Sequence, residues 1–223
     1  MGVVGKRALI LGATGLVGGH LLRQALDRPD YGEVRALVRH DLTIDHPKLR
    51  QVNVDFDRLW EWGDEFQAEH VFCCLGTTRA KAGTRAGFER VDYGYVHRAA
   101  QLAAERCAEH FVWVSAAGAN SRSLFFYPRV KGRLEAEIHD LGLQRWTAVR
   151  PSLLLGKRRE PRLGEVVAAP AMRLMRPLMV GPWRKYRAIP AAAVAAAMLA
   201  AANGEPMDSQ LDYRSGGIGA AVR

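Results

Sequence analysis

Cysteine is scarce, with three in 223 residues, and no metal-ligand spacing joins them. Cys73 and Cys74 are neighbours on a predicted strand and point to opposite faces, while Cys107 falls on a predicted helix; all three read as small buried hydrophobes. Neither a disulfide framework nor a metal site is expected, and neither is needed, because a chain of this size buries roughly 70% of its unfolded surface. Long apolar runs are also missing. The stretch Ala191–Ala202 covers twelve residues, too few to span a bilayer. The apolar run from Ala8 follows Lys6 and Arg7 as a secretory core would, but its glycines interrupt it, and Lys6 stands where a myristoylation signal needs Ser or Thr. Internal repeats, low-complexity linkers and composition breaks are absent. These absences lead us to expect a soluble, cytoplasmic protein with one domain over 1–223, divided into a cofactor-binding core (1–151) and a substrate-pocket and C-terminal segment (152–223).

Acidic residues are few in one place. Between Lys157 and Arg187 there are nine basic residues against two acidic ones, so this stretch carries +7 of the formal +9. Such a segment suits an anionic substrate, a protein partner or a solvated face. It also contains Met172, Leu174, Met175, Leu178 and Met179, an adaptable lining that suits a mobile cover over a pocket or, equally, a core helix. No nucleic-acid recognition motif accompanies the charge, and nucleic acid is not expected as a partner.

What is present is an alternation. Strands are predicted at 7–11, 33–38, 50–54, 70–75, 110–115 and 145–150, with helical stretches at 16–28, 58–62, 86–106 and 125–141. This pattern specifies an α/β fold: a doubly wound parallel sheet covered by helices on both faces. Pro190 opens a further helix that Asn203-Gly204 ends, and a last strand is predicted at 210–213.

The first strand runs into Gly12-Ala13-Thr14-Gly15-Leu16-Val17-Gly18, which opens the first helix. Gly12 permits the sharp turn, Gly15 lets backbone approach a pyrophosphate, and Gly18 lets the helix lie close on its strand, while the helix N-terminus faces the anion. At the end of the second strand, about 20 residues beyond the glycines, a carboxylate would bind a ribose 2′-OH. Arg39 stands there instead, and its guanidinium suits a 2′-phosphate, although Asp41 is close enough to serve a 2′-OH. The expected cofactor is therefore NADP(H), ahead of NAD(H).

Ser115 ends the fifth predicted strand. Twelve residues on come Tyr127 and Lys131, one helical turn apart on one face. An ammonium beside a phenol stabilises phenolate, so Tyr127 can pass a proton to or from a substrate oxygen while hydride moves at the adjacent carbon, with Ser115 donating a hydrogen bond to that oxygen.

These motifs, Gly12/Gly15/Gly18 and Ser115/Tyr127/Lys131, resemble those of the atypical short-chain dehydrogenases/reductases. Within that family the chain is most similar to the Tat-interacting-protein-like oxidoreductases, through the stretches Cys73–Gly83, Phe88–Asp92 and Tyr127–Lys131. The resemblance implies a Rossmann fold and bound NADP(H), with Leu75, Gly76 and Thr77 beside the cofactor, Asp55 and Phe56 near adenine, and Pro151 and Ser152 near nicotinamide. Asp92 falls where extended relatives often carry asparagine, and a carboxylate cannot donate as an amide can. Three readings follow: an oxidoreductase acting on an unidentified carbonyl or alcohol, a cofactor-gated protein that binds other proteins, and a nucleoside-diphosphate-sugar epimerase-like enzyme.

Overall fold

The structure, a computed structural model, describes residues 5–152, 154–155, 189–207 and 211–218. The basic segment and its proposed cover lie outside these residues.

The strands are β1 (Lys6–Leu11), β2 (Tyr31–Val38), β3 (Leu49–Asn53), β4 (His70–Cys73), β5 (His110–Val114), β6 (Trp146–Arg150), β7 (Leu154–Leu155), β8 (Ile189–Pro190) and β9 (Asp212–Gly216). Seven of them form one sheet in the order β3-β2-β1-β4-β5-β6-β9, parallel throughout except for the β6–β9 pair; β7 and β8 make a separate parallel pair. The helices are α1 (Leu16–Asp27), α2 (Arg79–Ala82), α3 (Arg85–Glu89), α4 (Val96–Glu105), α5 (Phe126–His139) and α6 (Ala191–Asn203). A 3-10 stretch covers Phe56–Phe66 and a π-helical turn covers Arg90–Tyr95.

Alternation along the central strands builds two cores. Ala8 and Ile10 of β1 face α1 and α6, with Val34, Phe72 and Val112 beside them. Leu9 and Leu11 face the other way, with Val71, Phe111 and Trp113, onto the 3-10 stretch, α4 and α5. Continuous burial of β1, β4 and β5 is what a parallel sheet covered on both faces requires. The doubly wound fold expected from the sequence is present.

Several local expectations need correction. The helix predicted over 86–106 is present as the unbroken run α3, π turn and α4 over 85–105, opened by Thr84, which accepts the Gly87 N–H at 2.9 Å; the unexpected feature is the π turn inside it, which takes one extra residue. Cys107 is not helical and not buried; it follows α4 at φ 55° and is exposed. Strand β4 ends at Cys73, and Cys74 lies just beyond, although the two do serve opposite cores. The last strand begins at Asp212 and runs antiparallel, extending the main sheet. With α6 filling the α1 layer, the described residues after 151 are part of the main fold.

Winding reverses between β1 and β4, so the crevice for a ligand opens at their carboxyl ends. The opposite, amino edge holds two buried histidines side by side, His70 and His110, in register on β4 and β5. His70 Nδ1 shares a 2.8 Å hydrogen bond with the Tyr31 hydroxyl, and His110 Nε2 pairs with Thr147 Oγ1 at 2.9 Å. Burial, with nearby Lys6 for His70 and Arg145 for His110, pushes their pKa values down to about 4 and about 3. The unfolded chain binds these protons near pH 6.5 and the folded chain does not. Their contribution to stability is therefore complete above about pH 6.5 and falls on acidification, by about 1.4 kcal/mol per pH unit for each histidine, until the folded values are passed. Urea unfolding between pH 7 and pH 4.5 checks this: a variant carrying His70→Gln and His110→Gln is expected to show a shallower loss than the wild type.

Candidate active site

The glycine loop is built as its spacing requires at two of its three positions. Gly12 sits at φ +84°, and a Cβ there would lie 2.7 Å from the Cys74 carbonyl carbon, so the loops after β1 and β4 touch across the crevice. A Cβ on Gly18 would lie 2.1 Å from the Gly12 oxygen, so α1 must start with glycine facing its own strand. Gly15 is different. It is exposed with an ordinary φ, and its value is its bareness: as N-cap it adds no side-chain cap, and the first turn of α1 carries no acid. The N–H groups of Leu16, Val17 and Gly18 precede the first intrahelical bond, from Gly19 N–H to the Gly15 carbonyl. Ala13 and Val17 are buried, and Thr14 is exposed. This arrangement fits a pyrophosphate.

At the end of β2, Arg39 is exposed and makes no hydrogen bond or ion pair with any described residue. Asp41 is engaged, accepting a 2.7 Å hydrogen bond from Asn53 Nδ2. Asp55 is exposed and caps the 3-10 stretch by accepting the Asp57 N–H, while Phe56 is buried with its ring 5.8 Å from that of Tyr95. Gly76 is exposed on the loop after β4, between the partly buried Leu75 and Thr77. Pro151 is buried and accepts the Ala117 N–H at 3.0 Å, which joins the loops after β5 and β6; Ser152 follows, half-buried.

Helix α5 brings Tyr127 and Lys131 to this edge. Tyr127 lies in the first turn with Pro128 behind it, where the missing N–H costs nothing, and its ring meets Phe88 edge-on at 5.7 Å. It is 43% exposed, whereas Lys131 is only 2% exposed. Lys131 Nζ donates to Asp92 Oδ1 at 2.9 Å, and Asp92 Oδ2 accepts the Thr77 N–H at 2.6 Å. Burial opposes the charge on Lys131, but Asp92 and then Tyr127 outweigh it and hold its pKa above the ordinary lysine value. The charged form of Lys131 is thus favoured, and it is held by a carboxylate tied to the loop after β4.

Ser115 follows the end of β5 at the carboxyl edge, as expected, and its side chain has a partner that the sequence did not indicate. It is buried, and its hydroxyl donates to Glu135 Oε1 at 2.5 Å; no hydrogen bond joins it to Tyr127 or Lys131. Glu135 also accepts from Arg150, from Nε at 3.0 Å and from Nη2 at 2.5 Å. Glu135 and Arg150 were not singled out from the sequence, although Glu135 continues the four-residue spacing of Tyr127 and Lys131. Asp92 was noted only as a departure from relatives, and its contact with the Thr77 backbone has no sequence signal. Among the described residues no group of three His, Cys, Asp or Glu side chains is arranged to hold a metal ion, and no helix is long and apolar enough to cross a membrane.

A doubly wound sheet with a glycine turn at the switch point, and a Tyr-x-x-x-Lys helix beside it, defines a dinucleotide-binding Rossmann protein of the short-chain dehydrogenase/reductase type. The chain belongs to the NAD(P)H-binding family, whose model matches residues 12–205. It is 39% identical over 198 residues to the protein HTATIP2 of Rattus norvegicus, covering 87% of this chain and 80% of that one. The mitochondrial protein FMP52 of Candida albicans is 36% identical over 165 residues, 71% of this chain and 72% of that one. Among solved structures, the Bordetella bronchiseptica enzyme WbmH in complex with NAD+ superposes with a TM-score of 0.67 at 15% identity, over 90% of this chain and 73% of that one. MoeE5 in complex with UDP-glucose and NAD gives a TM-score of 0.67 at 18% identity, over 88% and 71%. These two share the fold. The expectation of a cytoplasmic protein is contradicted by the relatives: several from fungi carry "mitochondrial" in their names.

The buried Lys131–Asp92 pair yields a stability prediction. Replacing Lys131 with Met strands a buried carboxylate and is expected to cost about 3–5 kcal/mol. Adding Asp92→Asn, whose amide oxygen still accepts the Thr77 N–H, should restore most of the loss, as measured by urea unfolding.

Proposed function

We propose that this protein is an NADP(H)-dependent oxidoreductase that interconverts a carbonyl compound and its alcohol, with Tyr127 as the proton-transferring group. The observation that carries the reading is the half-exposed Tyr127 phenol one turn from a buried, charged Lys131 at the carboxyl edge of the sheet. The bound nicotinamide supplies or accepts the hydride. Gly12, Ala13, Thr14, Gly15, Leu16, Val17 and Gly18 hold the pyrophosphate on the backbone of the turn and the start of α1. Leu75, Gly76 and Thr77 line the cofactor side, Asp55 and Phe56 the adenine end, and Pro151 and Ser152 the nicotinamide end. Arg39, unpaired among the described residues while Asp41 is occupied by Asn53, supports recognition of a 2′-phosphate.

In the reducing direction the Tyr127 hydroxyl donates its proton to the substrate oxygen as hydride arrives at the carbon. Lys131 stabilises the phenolate left behind. Asp92 keeps the ammonium aimed. Ser115 supports the site from below through Glu135. One observation favours a protein-binding role instead: Leu124 and Phe125, adjoining Tyr127, are 93% and 77% exposed. Turnover of NADPH with a panel of aldehydes and ketones separates the two.

Calorimetric titration should show tighter binding of NADPH than NADH. Arg39→Ala should weaken NADPH by roughly tenfold to a hundredfold, the value of a charged hydrogen bond, with little change for NADH. An Arg39→Ala protein that keeps its preference removes Arg39 from 2′-phosphate recognition. Tyr127→Phe should abolish turnover with any substrate found in that panel and leave NADPH affinity within a few-fold; surviving activity removes Tyr127 from the chemistry.

A further inference from the structure

Outside the Tyr127–Lys131–Asp92 set, the buried polar group with the most connections is Glu135. It is 1% exposed and lies on α5 one turn beyond Lys131 and two beyond Tyr127. Three donors converge on it: the Ser115 hydroxyl from the end of β5, and Nε and Nη2 of Arg150 from the end of β6. Arg150 reaches on to Asp212 of β9, with Nη1 3.8 Å from Oδ2. One side chain of the helix is therefore fastened to the carboxyl ends of two central strands, and through Arg150 to the edge strand.

The Ser115 hydroxyl has one hydrogen, and Glu135 takes it. While that bond stands, Ser115 cannot donate to a substrate oxygen. We propose that Glu135 is the positioning residue of this site, fixing α5 against β5 and β6 so that Tyr127 and Lys131 stand correctly over the cofactor edge, with Ser115 as a strut beneath Glu135. This rests on the reading of Tyr127 and Lys131 as the working pair. Eight residues separate Glu135 from Tyr127, about 12 Å of helix, so a tilt of about 5° at the fastening moves the phenol by about 1 Å. A displacement of that size is costly to a reaction that depends on orientation. The apolar contacts of Leu134 and Ile138 keep α5 on the sheet without the fastening, so its loss shifts the helix and does not unfold it.

The test needs no substrate. Protein labelled with 13Cζ-tyrosine, with the Tyr127 resonance assigned by its loss in Tyr127→Phe, is compared free and titrated with NADPH. Ser115→Ala and Glu135→Gln should each move the Tyr127 resonance of the free protein, and the double variant should move it no further than Glu135→Gln alone, because both act through one bond. Ser115→Thr, which keeps the hydroxyl, should return it towards the wild-type position. Leu21→Ala, a buried loss in α1 on the other face of the sheet, should lower stability and leave the resonance in place. A Tyr127 resonance unmoved by Ser115→Ala, or shifts that simply add in the double variant, overturns the strut. A wild-type protein that does not bind NADPH overturns the cofactor reading instead, and the free-protein comparison still decides the role of Glu135.

Discussion

Two opposite charges with almost no contact with water, Lys131 and Asp92, impose the constraint around which the carboxyl edge is organised. A buried pair of this kind is tolerable only when its remaining hydrogen-bonding capacity is met. Asp92 meets part of it with the Thr77 N–H, and in doing so brings three separate pieces of chain to one point: α5, the π turn, and the loop that leaves β4. That same loop touches Gly12 from the other side. The glycine turn, the cofactor-side loop and the helix carrying Tyr127 are thus mechanically continuous, and none can move far without exposing a charge or opening a backbone clash.

The sheet assigns different work to its two ends. At the amino edge, buried histidines pair with a tyrosine and a threonine, and their lowered pKa values favour stability near neutral pH. At the carboxyl edge, charge is retained: Arg39 is left without a partner among the described residues, and the start of α1 is left without a cap. An open helix start and an unpaired guanidinium are groups that a charged ligand can complete.

The fold was largely legible because its signals are local and periodic. Alternating strand and helix patterns, the Gly12–Gly18 spacing and the Asn203-Gly204 stop each follow from backbone sterics or burial; Gly204 does adopt the left-handed conformation that such a stop requires. What escaped was relational. The spacing of Tyr127, Lys131 and Glu135 says that they share a face, but nothing in a one-dimensional pattern says that Asp92 will meet the second or that Ser115 and Arg150 will meet the third. Ser115 was placed correctly at a strand end, but its bond to a buried carboxylate on α5 has no signal in the sequence. The π turn inside the 86–106 helix escaped for a related reason: one added residue leaves apolar spacing almost unchanged while altering the hydrogen-bond ladder.

That added residue has an evolutionary meaning. In a regular α-helix each position is rotated about 100° from the last, so removing one residue from Arg90–Tyr95 would restore an ordinary ladder and swing everything on one side of the gap around the axis by that amount. Either the buried run Val96, Ala99, Ala100 and Ala103 would leave the core, or Asp92 would leave Lys131. The length of this stretch is therefore as constrained as Asp92 itself, and an alignment gap there would mark a protein that holds its lysine by another means.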